Sequence, residues 1–320
     1  MEANFHNNVV HDDAIAGLAA GGEVEAQGEV QVGGHEPQPP PAQLQPLEGP
    51  PFRMDDPARM QLSNEERQWA LSIKASIETN NEIDPVSDFA CVHLAMIFQG
   101  DVEAAVESAL HLQCFRQDYD IMDTLSDSRR ALAKLIKLFP KFYMSYSFNK
   151  EDGNYYLVYD VTQFCIKKMT RTEMFTTFNA GAYFFKHAMT VDFALMRKGS
   201  VFIAECEGYS WTKHMDISMF QRVWLEVVWA YPVRYHAVKA YNTGVMFNVF
   251  WSTLKKLLPA KSVGKYEAGY QFEGRLDSIF MVPTVEAANQ TLLHNLDLIL
   301  QRRYDLEKSF SLSGDSAVDN

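Results

Sequence analysis

The apolar residues of this chain change their spacing once, near Pro140, and that change limits the fold more than any other feature. Before it, large side chains recur every three or four residues, the period of a helix with one buried face. Trp69, Ile73 and Ile77 keep that period, and Ser63 stands three residues before Glu66, the spacing of a capping box. Asp84-Pro85 breaks the pattern. A second helix is expected over Asp88 to Phe98. A third opens at Asp101 with Val102, Ala105, Val106, Ala109 and Leu110 on one side. Leu132, Leu135, Ile136 and Phe139 form another stripe, which Pro140 stops.

Beyond Pro140 the period falls to two. Phe142 to Phe148 alternates, Glu151-Asp152-Gly153-Asn154 is a turn, and Tyr155 to Tyr159 resumes the extended pattern, which together predict a hairpin. Further strands are expected over Ser200 to Glu205, Arg234 to Asn242 and Lys265 to Phe272. Between them lie helical stripes, one through Ile217, Phe220, Trp224, Val227 and Tyr231, another from Val245 to Leu258. A last stripe runs through Leu292, Leu296, Ile299 and Leu306. Strands that alternate with helices need crossover connections. The expected class is therefore α/β, a mostly parallel sheet covered by helices and preceded by a small all-helical subdomain.

Charge divides the chain again. Residues 1–57 hold ten acids, one base and eight of the thirteen prolines, so they carry −9 of the total −12. Such a stretch has too little apolar surface to offset the entropy of ordering, and it is expected to be a disordered, acidic, proline-rich tail. The organisation read from the sequence is tail over 1–57, helical subdomain over 58–125, α/β domain over 126–290, and a C-terminal helix and tail over 291–320. A polyproline II segment in the tail offers one way to bind a protein partner. Net acidity argues against nucleic acid as a partner. No run of about 18 uncharged apolar residues exists, and the first basic residue is Arg53, so neither a membrane span nor a secretory signal is expected. Cys91, Cys114, Cys165 and Cys206 lie far apart without a CxxC pair and read as reduced, buried thiols of a cytoplasmic protein.

Catalytic, cofactor and metal constellations are not found. Gly264-Lys265 suggests a phosphate loop, but Pro259 stands where that loop needs glycine and Tyr266 where it needs Ser or Thr. The histidines include no pair with metal spacing. Glu205 and Glu207 lie two apart at a strand end, where they could act as an acid/base pair or simply cap the next turn. His187 and His236 are lone histidines among apolar neighbours and read as packing residues. The chain is not expected to be an enzyme.

Tyr231-Pro232-Val233-Arg234 through Gly269 resembles the signature of the CRAL-TRIO (Sec14-like) lipid-binding family. Tyr231, Pro232, Arg234, Asn242, Phe247, Lys255, Leu258 and Lys265 occupy the family's places, while Gly244 and Lys256 stand where it usually has proline. Glu205-Cys206-Glu207-Gly208 is similar to its Asp-x-x-Gly, and Gly100-Asp101-Val102 keeps the register of its helical subdomain, so the resemblance covers about residues 61 to 290. It implies that the helices and sheet form a cage for one lipid, bound without a cofactor and exchanged at a membrane that the cytoplasmic protein visits peripherally. The family's helical subdomain usually has basic residues at the places of His93, Met96 and Phe98, and members that bind phosphatidylinositol carry a glutamate at the place of Val233, so the resemblance does not extend to that headgroup. Ser262 and Lys265 remain as headgroup contacts.

The residues agree with a lid. The segment from Val245 carries Phe247, Phe250, Trp251, Leu254, Leu257 and Leu258, more apolar surface than one docking stripe needs, and Gly244 before it is a candidate hinge. Packing of both sides against protein is the alternative. Each methylene taken from water contributes roughly 0.8 kcal/mol, so ten of them hold a ligand by about 8 kcal/mol until a membrane accepts it. The competing function is an adaptor on a degenerate lipid-binding fold.

Overall fold

The computed structural model describes residues 57–138, 143–149, 154–163, 170–214, 230–254, 264–270 and 285–313. The expected tail, apart from Pro57, and the helix expected over 217–231, apart from Ala230 and Tyr231, lie outside these residues.

Four helices come first. In α1 (Asn64–Glu78) the capping box forms as its spacing predicts. Ser63 Oγ accepts the Glu66 N–H at 3.1 Å, and the Glu66 carboxylate accepts the Ser63 N–H at 2.8 Å. The same carboxylate takes two bonds from the Arg197 guanidinium, at 2.6 and 2.7 Å, so the cap also ties α1 to the later half of the chain. That guanidinium holds the Glu66 carboxyl below its ordinary range. Helix α2 (Asp88–Phe98) is capped by Ser87 and α3 (Val102–Asp118) by Asp101. Ile73, Ile77, Phe89, Val92, Ala105 and Ala109 bury their apolar faces together. Helix α4 (Leu125–Leu138) follows, and its Leu132, Leu135 and Ile136 are buried as the stripe predicts.

The hairpin forms from β1 (Tyr143–Asn149) and β2 (Asn154–Asp160), paired antiparallel. Helices α5 (Arg171–Ala188) and α6 (Phe193–Lys198) then cross over to β3 (Ser200–Glu205), which runs parallel to β2. The four-residue helix α7 (Trp211–His214) follows β3, and β4 (Tyr235–Tyr241) adds parallel to it. Helix α8 (Val245–Leu254) leads to β5 (Tyr266–Tyr270), also parallel. The strands lie in chain order, β1-β2-β3-β4-β5, so the fold is α/β with a mostly parallel sheet behind a helical N-terminal region. The long helix α9 (Val285–Ser309) closes the described chain, with its first turns before residue 291. Its Leu296, Ile299 and Leu300 pack with Leu157 of β2 and Phe185 of α5. One turn later its Leu306 joins the core of α1 to α3, together with Phe193 and Met196 of α6.

Gly199 makes the α6–β3 turn possible. It stands at φ 82, ψ 170, a region that is nearly glycine-only, and a Cβ there would lie 2.4 Å from the Arg234 carbonyl oxygen. Gly199→Ala is therefore expected to cost at least about 1–3 kcal/mol from backbone strain alone. Urea unfolding of the variant reads this, and a midpoint equal to the parent's would show that the turn can be rebuilt.

Cys91 and Cys206 are buried free thiols, as expected. Cys114 is exposed, which corrects the reading of a buried thiol there. On α3 the buried positions are Ala105, Ser108, Ala109 and Phe115, and Cys114 is rotated off that side. Cys165 is outside the described residues.

Candidate functional site

Strand register creates a row of small side chains on one face of the sheet. Ala204 of β3 is paired with Ala240 of β4, and Ala240 with Ala268 of β5. Tyr159 of β2 begins the row. The neighbouring row on the same face is large: Leu157, Phe202, Val238 and Tyr266. The three alanine methyls beside Phe202, Val238 and Tyr266 leave a shallow trough, because residues two apart on a strand share a face. Helix α8 lies over this trough. Its Phe247 packs with the cluster of Ala204, Cys206 and Ala240 and meets the Tyr209 ring edge-on at 5.7 Å. One turn later Trp251 lies 5.1 Å from the Tyr266 ring.

The opposite side of α8 faces out. Val245 is 78% and Val249 56% exposed, and Ser252 is exposed with them. The helix thus has two apolar sides, one on the sheet and one open. Phe250 and Leu254 lie on α8, while Leu257, Leu258 and Ser262 fall outside the described residues. Gly244 is exposed with nothing near a Cβ built on it. The left-handed residue at the entrance to α8 is Asn242, at φ 52. Lys265 is half-buried in the turn before β5, and burial together with the nearby Arg234 holds its ammonium below the ordinary lysine range. Val233 packs beside Tyr183 and Tyr231, and Met96 is buried among α1 to α3, so neither position brings a polar group to a headgroup.

Glu205 and Glu207 separate. Glu207 is exposed, while Glu205 is fully buried at the end of β3. The Glu205 carboxylate accepts the Glu207 N–H at 2.8 Å and the Asn242 side-chain amide at 3.1 Å to each oxygen. It therefore caps its own turn and fixes the β4–α8 connection, which positions α8 over the trough. His236 is exposed on β4.

His187 belongs to a buried polar network that spacing alone did not reveal. Arg303 of α9 is 2% exposed, its Nε donates to His187 Nε2 at 3.3 Å, and its Nη1 donates to the Thr190 carbonyl at 3.1 Å. A guanidinium only donates, so Nε2 accepts and the His187 proton sits on Nδ1. Nδ1 then donates to the Tyr231 hydroxyl at 2.9 Å, and Tyr231 donates to Thr190 Oγ1 at 3.2 Å. Thr190 returns its proton to the His187 carbonyl at 2.8 Å, closing the circuit. Arg303 also pairs with Glu307 and lies 4.6 Å over the Phe89 ring. Beside it, His93 Nε2 donates to the Pro232 carbonyl at 3.0 Å. His93, His187, Tyr231, Arg303 and Glu307 border a cleft of about 180 Å³ between the N-terminal helices and α5 and α9, which Arg116 and Asp123 also line. Among the described residues, no group of His, Cys, Asp and Glu is arranged to hold a metal ion, and no helix is long and apolar enough to cross a membrane.

The fold and the covered trough define an α/β sheet of mostly parallel strands with α8 packed on one face. Residues 176–267, from α5 into β5, match the family model of the CRAL/TRIO domain, in agreement with the resemblance seen in the sequence over this segment. Among solved structures, that of Sfh5 is similar over 65% of this chain and 82% of that one, with 14% identity and a TM-score of 0.40. No curated protein matches the chain.

Proposed function

We propose that this protein holds a single lipid between the alanine trough and α8 and exchanges it at the surface of a membrane, working in the cytoplasm as a peripheral membrane protein. CRAL/TRIO proteins are a lipid-binding and transfer family. The observation that carries the reading for this chain is the two-sided α8, with Phe247 and Trp251 on the sheet and Val245 and Val249 open. In water, lifting α8 exposes two large aromatic side chains, at roughly 1.5–3 kcal/mol each. A bilayer surface removes that cost, since it accepts apolar side chains from both sides of the helix. Exchange is then fast only at a membrane.

Two variants test this. Val245→Asp with Val249→Asp is expected to lower transfer between liposomes at least fivefold while moving the thermal midpoint by no more than about 2 °C, because surface substitutions away from packed features cost little. Trp251→Asp is expected to lower both the midpoint and the lipid content seen by native mass spectrometry, because a carboxylate would be set against the Tyr266 ring. Parental transfer by the double variant, together with a parent that carries no lipid in native mass spectrometry, would overturn the proposal. That pair of results would favour the adaptor.

A further inference from the structure

Helix α5 carries two polar side chains that the fold buries without using. Asn179 has no exposed surface, and among the described residues neither its Oδ1 nor its Nδ2 has a hydrogen-bond partner. The same holds for the buried Lys186 Nζ. Buried polar groups are nearly always paired, because an unpaired one forfeits its hydration, and an unpaired cation forfeits most. Two such residues on one helix are not scattered accidents. They lie seven positions apart, so they share one side of α5, and at 1.5 Å of rise per residue their backbones are about 10 Å apart.

The direction of that side is set by Lys186. Its Nζ lies 5.6 Å from the Tyr235 ring, and that ring meets Phe202 at 4.9 Å. Phe202 stands two residues before Ala204, hence on the face of the sheet that carries the alanine row. Lys186 therefore reaches over the same face that α8 covers. The ring offers the ammonium a weak attraction but no acceptor oxygen. Among the described residues no carboxylate pairs with it, and burial pushes its pKa down to about 7.

We propose that Lys186 binds the carboxylate of an acyl ligand, and that Asn179 hydrogen-bonds a second oxygen on the same chain about 10 Å further along, so that the ligand is a long-chain acid, preferably one hydroxylated near its middle. This rests on the lipid-binding reading above. An ammonium supplies donors and positive charge, for which a carboxylate is the complement. An amide both donates and accepts, which suits a hydroxyl. Between the two lie methylenes for which Phe202 and the alanine methyls are apolar neighbours.

Displacement of a fluorescent fatty acid from the full chain tests the assignment with three competitors: stearic acid, its methyl ester and 10-hydroxystearic acid. The parent is expected to bind the acid at least tenfold more tightly than the ester, and the hydroxylated acid more tightly still. Lys186→Met should remove the preference for acid over ester while keeping affinity for the ester, and its thermal midpoint should rise, because an unpaired buried cation is gone. Asn179→Leu should remove only the preference for the hydroxyl. Equal binding of acid and ester by the parent overturns the proposal and leaves the lipid reading standing. An acid preference that survives in Lys186→Met does the same. If the parent binds neither acid, nor ester, nor the fluorescent probe, this assignment falls, while the lipid reading still stands or falls on the native mass spectrometry above.

Discussion

Replacing Arg303 with methionine is expected to destabilise the fold by about 3–5 kcal/mol, the scale set by breaking a buried ion pair from one side. The methionine fills much of the volume, so the loss is electrostatic rather than a cavity. Glu307 would keep a carboxylate whose side chain is only 20% exposed, with its cation gone. Its carboxyl is already pushed up by burial, and the Arg303 charge is what opposes that push. The Thr190 carbonyl and His187 Nε2 would lose their donor at the same time. Because Arg303 stands between Leu300 and Leu306 on α9, the damage falls where the sheet-side core meets the core of the N-terminal helices. Urea unfolding of the single variant and of Arg303→Met with Glu307→Leu separates the causes. The double variant should recover much of the loss, since an apolar pair of similar volume replaces a buried ion pair at little cost. A single variant within about 1 kcal/mol of the parent would show that water replaces the guanidinium, and that the network does not hold α9 in place.

Much of this architecture was legible in the sequence because local rules and tertiary packing agree there. Ser63 and Glu66 cap α1, Asp88 to Phe98 is α2, and Ser200 to Glu205 is β3, each as the pattern predicts. The Asp101 opening of α3 and the antiparallel pairing of β1 with β2 follow the same agreement. Helix α8 was legible as an excess of apolar residues, but which side faces the sheet was not. Phe247, Phe250, Trp251 and Leu254 follow a spacing that allows several rotations about the helix axis, and contacts with Tyr209 and Tyr266 select one. The alanine row was invisible for a different reason. Ala204, Ala240 and Ala268 lie 36 and 28 residues apart, and only parallel register brings them side by side. The network around His187 depends on residues from α5, the segment before β4, and α9, so no local pattern could show it. His187 therefore read as a packing residue. Asn179 and Lys186 escaped because a polar residue on an amphipathic helix normally faces water, and nothing in the spacing of α5 marks these two as buried. A signal did exist, since both stand among Phe178, Ala182 and Phe185 in the later half of the helix, where the only other acidic, basic or amide side chain is that of His187 beside Lys186.

Lowering the pH below about 6.5 is expected to destabilise the protein steeply, through His93 and His187. Both are held well below the ordinary histidine pKa of 6.5, first by burial and then by the Arg303 charge. His187 has a structural reason as well. Protonating Nε2 would set an N–H against the Arg303 Nε–H, which now donates to that nitrogen. The folded state therefore keeps both rings neutral where the unfolded chain binds two protons. Stability is then full above the unfolded pKa and declines as pH falls through it, by up to about 1.4 kcal/mol per pH unit for each histidine. The pair together reaches roughly 2.7 kcal/mol per unit until the folded-state values are met. Glu307 and Asp192, whose carboxyls burial raises, take up protons sooner in the folded state and oppose the decline at the acidic end. Glu66 and Asp88, held low by Arg197 and Lys74, add to the decline only as their unfolded carboxyls begin to titrate. Between pH 7.5 and 5.5 the histidines should therefore dominate. Unfolding free energies from urea titrations across that range should show the fall, and His187→Gln should show about half the slope. A flat profile would mean that both rings bind protons as readily in the folded protein as in the unfolded chain, and that His187 Nε2 does not accept from Arg303.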